Sequence, residues 1–392
     1  MTINPVTHVQ SIEDSTAFEG LREEWTALLA ESPSDGLFLT WEWLFTWWTH
    51  LGAGRRLAIL TVRTGGELIA LAPLASRSRG LGRLLPVRPL EFLGTGSVGS
   101  DYLDLIVRRG REEVATEALA EHLARGGRVL RLGQLRTGSC VAPAVARRLS
   151  RRDWTSSVAS SDVCPYIKLT AHTWQSYLSG LDPNHRRDVQ YALRRLGKQF
   201  DVRFEEAQSE AERREFLSLL VALHRERWRS RGGSTAFHTP GLVAFHDELT
   251  RRALARGWLR LFVLRLDGRP AAALYCFRYG SVFYFYQGGF DPAYAKYSVG
   301  AAMVALTIKH AIEEGAEEYD LLHGREPYKL EWAREARGLE RIELYPPRLR
   351  ASLDRHAVEL GRAARRLAWR VLPRGVADRL AAAAAALSDR GL

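Results

Sequence analysis

Cysteine is scarce in this chain of 392 residues: Cys140, Cys164 and Cys276 are the three present, and no two share a CxxC spacing. That scarcity argues against a disulfide framework and against a structural zinc, so no metal site is expected and a reducing cytoplasm is the natural compartment. Lysine is rarer still for its class, with only five of the 56 basic residues. The arginine excess brings the net charge to +11, but it reads as codon usage more than as a mark of nucleic-acid binding. Long hydrophobic runs are missing as well. The longest late one, at 381–387, falls far short of the apolar stretch that a membrane-spanning helix needs. Residues 1–18 lack a basic segment followed by an apolar run, so a secretory leader is not expected. What is present is a hydrophobic content of 46% with 26% charged residues, ordinary for a soluble globular chain and enough for two cores. Charge is unevenly spread. Residues 346–392 hold ten arginines against four acids, which supplies +6 of the net +11.

The first half reads as mixed α and β. Thr40 is placed to cap a helix running to Trp48, and short β-like runs follow at 57–62, 68–74, 90–93 and 102–107. A helix over 111–125 and a strand over 128–132 complete a compact unit. Residues 133–163, rich in Ser, Arg and Gly, read as a connecting region with room for a helix at 142–149. Trp41, Trp43, Trp47 and Trp48 make two stripes on the early helix; burial against the sheet is favoured over a sugar platform. The glycine-rich stretch 94–100 has neither a basic residue nor a following helix and reads as a mobile inter-strand loop.

In the second half the apolar spacing predicts helices over 173–179, 183–197, 210–229 and 240–256. Strands are expected at 258–266, 270–279 and 281–287, with hairpin turns at Asp267-Gly268 and Gly280. A helix over 298–314 ends before Gly315, where a left-handed cap would sit, and strands at 318–322 and 340–344 follow. The most informative stretch is 282–332. Here an aromatic strand ends in Gln287-Gly288-Gly289, Tyr297-Ser298-Val299-Gly300-Ala301-Ala302 opens a helix, and a second strand runs into a loop of ionisable residues from Asp320 to Lys329. A helix N-terminus offers unpaired N–H groups and the positive end of its dipole, which suits a phosphate.

These features, together with Leu223-His224-Arg225-x-Arg227-Trp228, Arg231-Gly232-Gly233 and Tyr319-Asp320-x-Leu322-x-Gly324-x-Glu326-Pro327-Tyr328-Lys329, resemble the GNAT acyltransferase superfamily, and more closely its CelD-like and Fem-like branch. The resemblance covers roughly 165–345 well and the first half loosely. It implies an α/β (α+β) fold: two GNAT-like units in tandem, each a mixed, mainly antiparallel sheet flanked by helices, plus a C-terminal amphipathic helix. The domains expected are 1–160, 161–345 and a basic helical tail, 346–392. The family's Gln/Arg-x-x-Gly-x-Gly/Ala loop, which holds the coenzyme A pyrophosphate, is matched by Tyr297-x-x-Gly300-x-Ala302, so the first position departs from the pattern. By resemblance Gln287, Gly288, Gly289, Tyr297, Ser298, Val299, Gly300, Ala301 and Ala302 would bind the donor, acetyl-CoA or another acyl-CoA.

Acyl transfer needs a base for the nucleophile, a polarised carbonyl and an acid for the departing thiolate. Asp320 alternates with Tyr319 and Leu321 on its strand, so its carboxylate is expected to reach the cleft; His323, Glu326 and Tyr328 join it as catalytic candidates, Tyr328 where the family often holds a tyrosine acid. The acceptor side is expected to draw on Arg186, Arg187, Trp228, Arg231, Phe237 and Lys329, although for Arg186 and Arg187 a solvated helix face is the favoured reading. In the tail, Leu349, Leu353, Ala357, Leu360, Ala364, Leu367 and Val371 form a stripe with arginines beside it. Docking of that helix on its own domain is favoured over peripheral contact with an anionic membrane. The function implied is acyl-CoA-dependent N- or O-acyltransfer, most simply acetyl transfer, to a small-molecule or sugar-linked acceptor, with exopolysaccharide production as the CelD-like association. A Fem-like aminoacyltransferase using aminoacyl-tRNA and a non-catalytic scaffold are the alternatives; nucleic acid is otherwise disfavoured.

Overall fold

The computed structural model describes residues 6–77, 88–139, 141–229, 234 and 236–371, and the chain divides into two compact units, 1–161 with 338–392, and 162–337. Cys140, Arg231 and the tail beyond 371 lie outside the described residues.

The first unit opens with β1 (Thr7–Ile12), α1 (Ser15–Gly20), α2 (Arg22–Ala30) and α3 (Trp41–Leu51), the last capped as expected by Thr40, whose hydroxyl accepts from the Trp43 N–H at 3.3 Å. Then come β2 (Arg55–Leu57), β3 (Ile59–Thr64), β4 (Glu67–Ala72), β5 (Leu74–Arg77), β6 (Leu90–Phe92), β7 (Ile106–Val107), α4 (Glu112–Gly126), β8 (Leu130–Arg136) and α5 (Val141–Ser150). β1, β3, β4 and β7 form one antiparallel sheet in the order β1-β3-β4-β7. Trp41, Trp43 and Trp47 are buried, so this cluster is core. The 94–100 loop is pinned rather than loose: Trp43 donates its indole N–H to the buried Ser100 hydroxyl at 2.8 Å. The connecting region contains more structure than its composition suggested, since β9 (Thr155–Lys168) follows α5.

The second unit continues with α6 (Trp174–Gly180), α7 (Pro183–Gln199), β10 (Val202–Glu206), α8 (Glu210–Arg229), α9 (Pro240–Ala255), β11 (Leu259–Leu266), β12 (Arg269–Tyr279), β13 (Val282–Phe290), a 3-10 turn (Pro292–Tyr297), α10 (Val299–Glu313), β14 (Glu318–Asp320) and α11 (Pro327–Trp332). Its strands run in the order β10-β11-β12-β13-β14-β9. All neighbours are antiparallel except β13 and β14, which are parallel, as a helical crossover through α10 requires. Local chemistry explains the elements. Asp182 accepts from the N–H groups of Asn184 and His185, with Pro183 at the first helical position, and so starts α7. Asp267 and Gly268 both take positive φ, 51° and 76°, the backbone of a tight hairpin turn whose twist suits β11 and β12. One face of the sheet buries Ile167, Phe262, Phe283 and Tyr319 against Val299, Met303, Ile308 and Ala311 of α10 and Val189 and Leu196 of α7. Each large side chain so buried stabilises the unit by roughly 1.5–3 kcal/mol.

β15 (Glu335–Tyr345) pairs with β8, giving the first unit the strand order β15-β8-β6-β5-β2, and α12 (Leu349–Val371) follows. α12 docks on its own unit, but not by Leu349, Leu353 or Leu360 of the stripe. Ala351 is buried with Val129 and Tyr345, Asp354 pairs with Arg131, and Arg362 reaches Glu343 at 2.9 Å. Leu349 and Leu360 remain 78% and 71% exposed. Among the described residues no helix is long and apolar enough to cross a membrane, and no group of three His, Cys, Asp or Glu is placed to hold a metal ion.

Candidate active site

Two strand features open the second unit's sheet. β14 stops at Asp320, opposite Tyr284, while β13 runs on to Phe290. Beyond Tyr284 the flank of β13 that faced β14 therefore has no strand partner among the described residues. A register shift at Tyr275 and Cys276 leaves Tyr286 as an extra residue on β13, a bulge that bends the strand near this point. Ser298 then takes φ 55° and turns the chain from the 3-10 turn into α10. The first-turn N–H groups of that helix, those of Val299, Gly300 and Ala301, have no partner within the helix itself.

The split edge and the helix start share one cleft of about 350 Å³. Gly288, Gly289, Ser298, Val299, Gly300 and Ala301 line it together with Tyr328, so most of the expected donor residues and one expected catalytic residue converge. Small residues keep it open. A β-carbon on Gly300 would stand 3.3 Å from the Phe290 ring. Gly289 is small for another reason: a β-carbon there would lie 2.4 Å from the backbone nitrogen of His224 on α8, so it is the helix that demands glycine. His224 fixes this approach. Its Nδ1–H donates to the Gly288 carbonyl at 3.0 Å, and its Nε2 accepts from the Ser234 hydroxyl at 2.8 Å. Burial holds its pKa below the usual range and the ring neutral.

Tyr328 sits in the first turn of α11, with Pro327 before it. Burial chiefly, and then the Glu326 carboxylate, push its phenol up to about 12, while the Arg227 guanidinium acts the other way. At neutral pH it is a proton donor.

The remaining expectations land elsewhere. Asp320 is not in the cleft. In register it lies beside Tyr284 and Tyr166, on the face opposite Phe283, Tyr319 and Ile167, and it is the latter face that carries α10. Fully buried, Asp320 accepts from the Leu322 N–H at 2.8 Å and from Arg337 at 3.0 Å, so its carboxylate is structural and not the base that strand alternation suggested. Neither His323 nor Glu326 lines the cleft. Lys329, 5% exposed, donates to the carbonyls of Leu322 at 3.3 Å and His323 at 2.5 Å and pairs with Glu326 at 3.3 Å, so it holds the loop together and does not face a substrate. Phe237 is core, edge-on to His224 at 5.1 Å. Arg186 donates to the Ser179 carbonyl and Arg187 to Asn184, both local contacts about the start of α7. Trp228 lies beneath Arg227 at 5.5 Å and outside the cleft lining. Gln287 and Ala302 do not line it either, and Tyr297 carries the Arg195 guanidinium over its ring at 4.6 Å.

Three polar residues that sequence reasoning had not assigned do line it: Arg227, His185 and Glu331. Arg227 lies over the Phe290 ring at 4.9 Å, with its Nη1 3.5 Å from the Gly288 carbonyl. His185 stands with Nδ1 3.5 Å from Glu331 and its ring edge-on to Trp332 at 4.5 Å. His185 and Glu331 also border a second cleft of about 610 Å³, shared with Asp182, Asp188 and Arg334.

Residues 183–330, which carry α7 to α10, the start of α11 and most of the cleft lining, match the family model of the acetyltransferase (GNAT) domain. These residues form a GNAT acetyltransferase domain. By that domain the protein is an acyltransferase. Solved structures agree at the level of fold. FemX is 12% identical with a TM-score of 0.58, covering 81% of this chain and 95% of its own. A conserved protein of unknown function from Bacteroides thetaiotaomicron is 13% identical at 0.56, covering 86% and 99%, and L-PGS from Bacillus licheniformis is 14% identical at 0.51, covering 87% and 95%. No curated protein matches the chain.

Proposed function

We propose that the cleft of the second unit transfers an acyl group from an acyl-CoA, most simply acetyl-CoA, to an amine or hydroxyl. The observation that carries this reading is the convergence of the α10 N-terminus, the flank of β13 that has no strand partner among the described residues, and Tyr328 in a single cleft. The donor supplies an activated thioester and a thiolate leaving group. The first-turn N–H groups of Val299, Gly300 and Ala301 suit its diphosphate, and the absence of side-chain bulk at Gly300 and Ala301 suits close approach. Backbone beyond Tyr284 suits the extended arm and polarisation of the carbonyl. Tyr328 holds a proton at its hydroxyl and is the group to protonate the departing sulfur. The acceptor enters from the second cleft, past His185 and Glu331. A sugar-linked or envelope-linked acceptor belongs to this proposal, and the exposed Leu349 and Leu360 of α12 favour peripheral contact with a membrane surface.

Calorimetry with CoA, backed by mass spectrometry of species that copurify, tests the donor. Micromolar CoA binding is expected. The second reading, an aminoacyl-tRNA donor, is favoured by the likeness to FemX over most of both chains. Tight tRNA binding that weakens steeply with salt, without CoA binding, would replace the first reading with the second.

A further inference from the structure

The cleft is lined largely by apolar or small residues, among them Ala272, Leu274, Phe285, Met303 and Trp332, yet Arg227 brings a permanent charge into it. No lysine or other arginine is among the described residues that line it. The guanidinium has a fixed seat. It lies over Phe290 at 4.9 Å and reaches the Gly288 carbonyl at 3.5 Å, so it stands at the C-terminal end of β13, on the α8 side. Among the described lining residues the one acid is Glu331, which stands beside His185. In largely apolar surroundings a guanidinium makes stronger charge-assisted hydrogen bonds to a ligand anion than it would in water. Its planar fork of donors matches a carboxylate, and its single charge balances one; a phosphate ester brings nearly two charges and three acceptor oxygens.

We infer that Arg227 recognises a carboxylate on the acyl acceptor, so that the acceptor class is a carboxylate-bearing amine or alcohol. This rests on the acyltransfer reading, in which the donor's own anionic groups are assigned to the start of α10, at Gly300. Arg227 also acts electrostatically on Tyr328, which sets the recognised group near the reacting atoms.

The test uses the full chain with two pairs of probes that differ by one charge, N-acetylglycine with its carboxamide and hippurate with hippuramide, titrated by ligand-observed NMR with and without saturating CoA. CoA affinity is measured separately by calorimetry. Wild-type protein is expected to bind each carboxylate about ten- to a hundredfold more tightly than its amide. Arg227→Gln should remove that preference, Arg227→Lys should keep part of it, and both should bind CoA as the wild type does. Melting curves of the two variants establish that they are folded. Equal binding of acid and amide by the wild type, or no binding of either acid, overturns the inference. A drop in CoA affinity on Arg227→Gln overturns it too, since the guanidinium would then serve the donor. Failure of the wild type to bind CoA, with carboxylate preference intact, instead removes the donor reading and leaves the anion site.

Discussion

Replacing Gly289 by alanine separates two roles a glycine at the end of β13 could have. If it serves the ligand, an added methyl crowds the donor; if it serves the fold, the methyl strikes α8. The geometry favours the fold. The new β-carbon would stand 2.4 Å from the His224 nitrogen, 2.8 Å from its α-carbon and 2.8 Å from the Leu223 carbonyl carbon. These are backbone atoms inside a helix and cannot rotate aside, so reaching an ordinary contact of about 3.5 Å requires α8 to retreat by about 1 Å. The helix resists. His224 is bonded to Gly288, and Arg213, fully buried on the same helix, pairs with Glu210 at 2.7 Å and with Asp247 at 2.9 Å. Overpacking by one methyl typically costs about 1–3 kcal/mol, and contact with fixed backbone puts Gly289→Ala near the upper end. Urea denaturation should show a lower midpoint with an unchanged slope, and calorimetry should show CoA affinity near that of the wild type. An unchanged midpoint combined with lost CoA binding would refute the reasoning and return Gly289 to the donor site.

Tyr328→Phe should lower turnover by about a hundredfold or more, as loss of a general acid does, with CoA affinity unchanged; a wild-type rate removes Tyr328 from the chemistry. Because its phenol lies at about 12, the alkaline side of the wild-type pH–rate profile should show no fall from this group below about pH 10. Asp320→Asn should lower stability by about 3 kcal/mol or somewhat less, since Arg337 keeps Glu318 as a partner. It should leave turnover per folded molecule intact; a folded but inactive variant would restore Asp320 to the catalytic set. Acid should weaken the fold through His246. Burial depresses its pKa from 6.5 to about 3, so the native state holds it neutral while the unfolded chain takes up a proton. The stability this contributes is full above pH 6.5 and falls as pH drops towards 3. The loss reaches about 2 kcal/mol at pH 5 by linkage, which urea titrations at pH 7 and pH 5 measure. His246→Phe should flatten that dependence.

Much of the second unit was legible because its punctuation is local. Asp267-Gly268 and Gly280 carry the positive φ values of their turns, and the limits of β11, β12 and α10 fall within a residue of those expected. β9 was not legible. Its first nine residues, Thr155 to Val163, are mostly Ser, Thr and Asp and largely exposed, so no apolar alternation marks a strand. α11 was missed because one and a half turns after a proline carry no period to read. In α12 the period was right and the direction was not. A 3.6-residue stripe says which residues share a face, and here small and charged partners, Ala351, Asp354 and Arg362, meet the domain while Leu349, Leu353 and Leu360 stay exposed.

The same distinction governs the site. Strand alternation correctly puts Asp320 on the face opposite Tyr319, but it cannot say which face holds the cleft. Cross-strand register decides that: Phe283 and Ile167 share Tyr319's side, α10 packs there, and Asp320 is left with Arg337. An acid inside a family motif is therefore weak evidence of catalysis until its strand neighbours are known. Arg227 illustrates the converse. It sits among motif residues at the end of α8, where basic side chains are expected simply to favour the helix dipole, and nothing in its spacing points inward. Only the contact of α8 with Gly289, too close for any β-carbon, brings that helix over β13 and carries Arg227 to Phe290. A glycine that the sequence offers as a donor contact thus acts one step earlier: it sets how near the helix comes, and so which cation the cleft contains.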